Sequence, residues 1–328
     1  MWLSPLLFLA FFSLINPSPV FSASPQQVLT FDYIDKIFKL EEGELNLNQH
    51  LLEITRLASM DLLGEDMDTA EYDQQFQTMA QVLSERFKTA ADDQTRIRLI
   101  NEYLFNDQKF EVDRSTLFES TTDELLLNRV MTTKKGHCLS LSLVYLCLGE
   151  RLGLSLNGVM FPNHFFVRFS HADGAINIET TAKGEPFDNE HYRSLYLRGF
   201  DDQISAQRLG KKETIAVYLA NLANQYKLKG THEFAMRLLQ AVIELMPDRA
   251  GLYINLGNTY ERDGQIITAL GCYQKALGMN PYLCEAHYNI GLAHFLYTKR
   301  YDDARRHGLI AVRLGCRVHP EFRKFLEK

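Results

Sequence analysis

Lys134-Lys135-Gly136-His137-Cys138-Leu139-Ser140-Leu141-Ser142-Leu143-Val144-Tyr145-Leu146-Cys147-Leu148-Gly149-Glu150 is the stretch whose reading decides the fold. Gly136 interrupts whatever precedes it. Beyond Cys138 the apolar residues Leu141, Val144, Tyr145 and Leu148 recur at helical spacing, which predicts a buried helix with Cys138 in its first turn. The unpaired N–H groups and the dipole at such a helix end favour an anion, so a thiol placed there ionises more easily. Of the five cysteines (Cys138, Cys147, Cys272, Cys284, Cys316), only Cys138 has a glycine two residues before it and a helix running on after it. It is the candidate nucleophile, whereas Cys147, in mid-helix, reads as core.

Downstream, Leu152-Gly153-Leu154 stops the helix and Gly158-Val159-Met160-Phe161 reads as a strand ending at Pro162. His164-Phe165-Phe166-Val167-Arg168-Phe169 alternates as a second strand. Asp173-Gly174 is a tight-turn dipeptide, and the chain returns as a third strand through Glu179. A strand hairpin after a cysteine-headed helix is the order of papain-like cysteine enzymes. Their chemistry needs a thiolate, an imidazole to move the proton, and a third group to orient the ring. Cys138, His164 and Glu179 are the expected catalytic residues for those roles. A two-residue turn at Asp173-Gly174 sets Glu179 opposite Arg168, on the sheet face of His164 but short of it along the strand. A bulged or strongly twisted hairpin is therefore expected, with Asn177 as the alternative orienting residue. His137, next to Cys138, is expected to point away from it, and His171 is expected to be solvated.

These stretches carry a resemblance. Asn128-Arg129-Val130, Lys135-Gly136, Leu143-Val144-Tyr145-Leu146, Glu150-Arg151-Leu152-Gly153-Leu154 and Phe161-Pro162-Asn163-His164-Phe165 are similar in order and spacing to the bacterial SirB transglutaminase-like family, a branch of the papain-like superfold. The resemblance covers more than 100 residues, from about residue 51 to 180. Many members carry proline where Cys138 stands and look catalytically idle. The Gly-His-Cys of this chain instead resembles the Gly-x-Cys of active transglutaminase-like enzymes, with His164 and Glu179 where their histidine and aspartate fall. The resemblance implies attack of a thiol on an amide, peptide or thioester carbon, with no cofactor and no metal.

Upstream, helical periodicity runs from about residue 31 to 105, with one amphipathic helix around 51–62, another over 72–87 and a third over 97–105. No catalytic spacing occurs there, and these helices read as a layer covering the site. Residues 106–120 are loop-like, and 124–130 form another apolar helix. Residues 1–23 read as a signal peptide: an apolar run at 6–15, Asn16-Pro17, then the small residues Ser22 and Ala23. An exported protein, periplasmic or extracellular, is expected. Membrane contact is expected only if that segment stays attached as an anchor.

The chain has 328 residues, enough for two cores, and a net charge of −6 with scattered Lys and Arg, which gives nucleic acid no basic surface to bind. The odd cysteine count, with no paired C-x-x-C, argues against a disulfide framework and against zinc.

From residue 216 the sequence repeats with a period of 34. Leu222, Ala223, Tyr226, Gly230, Ala235, Val242 and Pro247 align with Leu256, Gly257, Tyr260, Gly264, Ala269, Ala276 and Pro281. Ile290, Gly291, His294, Ala304 and Ala311 continue a third unit, with one residue inserted before Ala304. These units resemble tetratricopeptide repeats, with small residues where paired helices cross. A peptide or protein ligand is expected on their concave side, and Tyr253, Asn255, Asn258, Tyr288 and Asn289 are the candidate partner-binding residues.

The expected fold class is α+β: a helix-rich transglutaminase-like domain (26–200) with a small antiparallel sheet, then a linker (201–215). An all-α three-repeat superhelix (216–249, 250–283, 284–318) with a capping helix follows. The expected function is an exported cysteine hydrolase or acyl-transferase with a docking module. The alternative is a catalytically idle scaffold that serves only protein interaction.

Overall fold

The computed structural model describes residues 28–113, 121–161, 164–171, 174–196 and 207–328. The expected signal peptide, the Asp173 half of the turn and residues 201–206 of the expected linker lie outside the described residues.

Four helices come first: α1 (Phe31–Lys39), α2 (Leu47–Leu63), α3 (Thr69–Phe87) and α4 (Asp93–Asn101). Each of α2 to α4 begins where a short polar side chain can accept a first-turn N–H. Asn46 takes the N–H of Gln49, Asp68 that of Ala70, and Asp92 that of Thr95. Gly64 closes α2 at a φ of 73°, a conformation that glycine adopts without strain. The expected 97–105 helix is α4 continued by one π-helical turn, Glu102–Asp107, which buries Tyr103, Leu104 and Phe105.

Strand β1 (Glu111–Val112) pairs in parallel with β2 (Lys135–Gly136), bracketing the short helices α5 (Thr122–Leu125) and α6 (Leu127–Thr133). Helix α7 (Cys138–Arg151) is the one read from the opening stretch, and Leu139 to Gly149 are buried. Strands β3 (Leu156–Phe161), β4 (His164–His171) and β5 (Gly174–Glu179) follow, with β6 (Glu185–Pro186), helix α8 (Asn189–Tyr196) and β7 (Gln207–Leu209). The antiparallel sheet has the order β6-β5-β4-β3-β7. Phe165, Val167, Phe169 and Ile178 join the main core with α7, while Val159, Phe161 and Phe166 pack with Tyr192 in a separate cluster.

The rest is paired helices: α9 (Lys211–Leu228) with α10 (His232–Leu245), α11 (Ala250–Arg262) with α12 (Ile266–Met279), and α13 (Cys284–Ala293) with α14 (Tyr301–Arg313), closed by α15 (Pro320–Leu326). The small residues at the crossings act as the period implied. Ala235, Ala269 and Ala304 are fully buried, and a Cβ on Gly257 would meet the Tyr273 ring at 2.5 Å. The residue inserted into the third unit is absorbed by a π-helical turn, His294–Thr298, which admits one extra residue without breaking the helix.

Three expectations are corrected. The segment expected as linker is ordered structure from Gln207 on, because β7 completes the sheet edge against β3 and α9 starts at Lys211. Helix α9 belongs to both halves. Ile215, Tyr218, Leu219 and Leu222 are fully buried in one core that runs from Leu29 to Leu256. Tyr218 reaches Thr55 Oγ1 at 2.9 Å and Tyr226 donates to Asp61 at 2.7 Å. Cysteine pairing is the second correction: Cys284 and Cys316 form a disulfide that ties the start of α13 to the chain after α14. An odd count hides a pair whose members lie 32 residues apart in sequence but adjacent in a helical hairpin. The third concerns register. His171 pairs with Gly174 and Arg168 with Asn177, so Glu179 falls opposite Phe166 rather than Arg168 and no bulge is needed.

Candidate active site

Cys138 is the first residue of α7 and is half-buried. Local bonds fix that helix end: the His137 N–H donates to Ser140 Oγ at 3.1 Å, and Ser140 Oγ donates to the Glu124 carbonyl at 2.6 Å. Gly136 is required here, since a Cβ on it would lie 2.6 Å from Ser140 Oγ. Ser142, one turn on, meets Thr180 Oγ1 at 3.0 Å, which pins α7 to the chain leaving β5.

His164 opens β4 and is 8% exposed. Because Glu179 sits opposite Phe166, it is diagonal to His164 on the same face of the sheet, within reach of a long side chain. Its Oε2 lies 2.6 Å from His164 Nε2, which leaves Nδ1 for the sulfur. The other carboxylate oxygen accepts the Thr181 N–H at 3.0 Å. The stacked Phe166–Tyr192 pair, centroids 4.0 Å apart, sits beside the His164 ring, which is 5.8 Å from Tyr192. Asn177, the alternative orienter, instead accepts from Arg168 Nε at 2.7 Å.

Burial alone would push the Cys138 thiol up. Hydrogen bonds with His137 and His164, and the charge of both rings, outweigh it and bring the thiol down to about 6. Burial likewise opposes charge on His164, but bonds to Cys138 and Glu179 carry the ring up to about 9. Glu179 is raised by burial and lowered by more through His164 and Thr181, ending below the usual carboxylate range. Between those limits the pair is a thiolate beside an imidazolium, the form that attacks an acyl carbon.

The structure thus brings Cys138, His164 and Glu179 together. It also corrects one reading: His137 does not point away, since its ring reaches the sulfur as well. His171 is half-buried with its ring stacked on Phe169 at 5.7 Å, so it is not the solvated histidine expected. Cys147 is buried and its thiol is pushed up, as a core residue should be. Thr180 and Thr181 escaped the sequence reading, because hydroxyls placed just after a strand carry no spacing signal. A cavity of about 500 Å³ lined by Tyr33, Lys36, His50, Glu53 and Asp73 lies apart from this cluster. Among the described residues, no group of three or more histidine, cysteine or acidic side chains gathers as a metal site.

A transglutaminase-like superfamily model matches residues 70–219, a span that takes in all three site residues and the start of α9. Residues 70–219 are a transglutaminase-like domain. A UPF0162 protein of Xylella fastidiosa is 27% identical over 224 residues, covering 66% of this chain and 79% of its own. Protein SirB1 of Salmonella typhimurium is 26% identical over 174 residues, covering 50% of this chain and 60% of its own. In overall fold the chain is similar to menin, with a TM-score of 0.57 at 13% identity over 86% of this chain and 68% of that one. The transglutaminase-like domain supplies the cysteine-headed helix, and the two strands carrying His164 and Glu179 lie within it.

Of the residues expected to line the repeats' binding surface, Asn255 is exposed, and Tyr253 is half-buried with the Lys275 ammonium 6.0 Å from its ring centroid. Asn258 Oδ1 instead accepts from Asn289 at 2.7 Å and lies 2.9 Å from the Tyr273 hydroxyl, which itself stands 2.8 Å from Glu261. Tyr288 packs toward Phe322 of α15, with centroids 6.1 Å apart. Asn258, Asn289 and Tyr288 therefore join neighbouring helices.

Proposed function

We infer that the protein is a thiol-dependent hydrolase or acyl-transferase acting on amide or peptide carbonyls, with its helical repeats docking a peptide or protein. The observation that carries this reading is the relay from Cys138 through His164 to Glu179, closed by the 2.6 Å contact. In this mechanism the Cys138 thiolate attacks the acyl carbon and the carbonyl pair moves to oxygen. First-turn N–H groups of α7, which have no acceptor within the helix, are the donors that would receive that oxygen. Collapse expels the amine, which takes the proton from His164, and a thioester remains. Water gives hydrolysis and an amine gives transfer, with His164 removing the proton of either. Glu179 keeps the imidazolium oriented throughout.

The disulfide Cys284–Cys316 supports an exported, periplasmic or extracellular location, because such bonds persist in oxidising compartments. The period of 34 and the paired helices support a peptide- or protein-docking role for the second half.

The test is acylation of the full chain by p-nitrophenyl acetate, read by mass spectrometry of its peptides. Acetyl groups should accumulate on Cys138 and be lost to added amine or water, and His164→Ala should abolish both. A Cys138 that stays unmodified would leave the idle scaffold as the better reading.

A further inference from the structure

We propose that Thr181 is a positioning residue for the acyl transfer inferred above: it holds one oxygen of Glu179 so that the other stays aimed, as an anion, at His164. This rests on that reading and adds a residue to it. Glu179 is almost fully buried and reaches diagonally across the sheet, so several side-chain torsions must be fixed before it meets the ring. His164 Nε2 fixes Oε2 at 2.6 Å. Oε1 is fixed twice by one residue: the Thr181 N–H donates to it at 3.0 Å, and the Thr181 hydroxyl donates to it as well. Both oxygens are therefore engaged, and a rotation that frees the ring must break charge-assisted bonds at each of them.

The backbone aims that hydroxyl. Thr181 lies in a single 3₁₀ turn, Thr180–Ala182, directly after β5. The chain beyond the turn folds back, and the Gly184 N–H donates to the Glu179 carbonyl at 2.8 Å. Asn101, at the end of α4, donates to the Gly184 carbonyl at 2.9 Å and accepts from the hydroxyl of the fully buried Tyr145 at 2.9 Å. Tyr145 belongs to α7, so the helix that presents Cys138 also braces the turn that presents Thr181. Gly184, at a φ of 82°, packs so closely that a Cβ on it would lie 2.2 Å from Asn101. Charge sets the consequence. Donors to an ionised carboxylate favour the anion, and an anion beside His164 favours the imidazolium. Thr181 thus keeps Glu179 from taking the ring's proton, which stays available for the leaving group.

Titration of the His164 ring tests this without requiring turnover. It is followed by NMR of the full chain carrying carbon-13 histidine, with the signal assigned by its loss in His164→Ala. Wild type should titrate near 9. Thr181→Val keeps the N–H but lacks the hydroxyl, and should lower that midpoint by about one pH unit, the scale of one hydrogen bond to a charged group. Thr181→Ala, without the bulk of valine, should lower it by a similar amount, and Thr181→Ser should leave it close to the wild-type value. On a Glu179→Gln background, Thr181→Val should add no further shift. With the midpoint lowered this far, acylation of Cys138 by p-nitrophenyl acetate should slow by about threefold at pH 8.5 and change little at pH 7. A midpoint unmoved by both Thr181→Val and Thr181→Ala, one lowered equally by Thr181→Ser, or one lowered as much in the Glu179→Gln background would overturn the proposal. Wild-type protein never acylated at Cys138 would overturn the acyl-transfer reading instead, a result separable from failure of Thr181 in the titration.

Discussion

At the scale of single residues, the site is defined by opposed effects on three ionisable groups. Burial works against charge on every one, and mutual contact wins on every one. The sign follows for pH. In the acyl transfer proposed above the working form needs Cys138 deprotonated, so activity should rise with pH through about 6. It also needs His164 protonated, so activity should fall as pH passes about 9. Because the two titrate together, these limits belong to the pair. A bell-shaped profile of acylation rate against pH checks this. Glu179→Gln removes the charge that helps hold the imidazolium, so the upper limb should move down toward 6.5, the ordinary histidine value. The profile should narrow from its alkaline side, with the acid limb less affected. A variant whose alkaline limb stays at 9 would show that Glu179 does not serve His164.

At the scale of elements, glycines on the repeat helices give a contrast that magnitudes can decide. Gly271 faces open space on α12, so Gly271→Ala should gain up to about 1 kcal/mol from helix propensity alone. Gly257 has the same propensity to gain, but its new methyl would sit 2.5 Å from a Tyr273 ring held by Asn258 and Glu261. Overpacking of that kind costs about 1–3 kcal/mol, so Gly257→Ala should be net destabilising. Thermal unfolding should rise for the first variant and fall for the second. These elements were also the most legible part of the sequence. The period of 34 located the helix pairs, and the extra residue before Ala304 reappears as a π-helical turn. The helix headed by Cys138 and the His164 strand were legible from periodicity and order. The partner of His164 was legible as a residue but not as a register, since a shift of two along β5 leaves the face pattern unchanged. His137 was misread because spacing in sequence says nothing about how a side chain turns at a helix cap.

At the scale of the whole molecule, the boundary between the halves is a shared core. Composition suggested a polar connection up to residue 215, but α9 carries a fully buried apolar face into the transglutaminase-like domain. A chain ending at residue 206 would strip that face away and leave Leu51, Thr55 and Leu127 uncovered. It should fail to give a cooperative unfolding transition, whereas one ending after Leu245, which keeps α9 and α10, should retain it. Tyr218→Phe in the full chain, which deletes only the hydroxyl at Thr55, should cost about 1 kcal/mol. The far end depends on its disulfide. Closing a loop between residues 32 apart is worth about 3–4 kcal/mol by restriction of the unfolded chain. Dithiothreitol should therefore lower the unfolding temperature of the third repeat and leave the Cys138 site intact.

The most direct measurement is the rate of iodoacetamide labelling at Cys138, Cys147 and Cys272 in the full chain, followed by mass spectrometry from pH 5 to 10. The account expects Cys138 to label selectively with a half-point near 6, while Cys147 and Cys272, whose thiols burial pushes up, lag far behind. His164→Ala should shift the Cys138 half-point upward by more than one pH unit, slowing labelling at pH 6.5 by roughly threefold or more. A Cys138 that labels with a half-point near 9, unchanged by His164→Ala, would contradict the claim that these two side chains act as one charged pair.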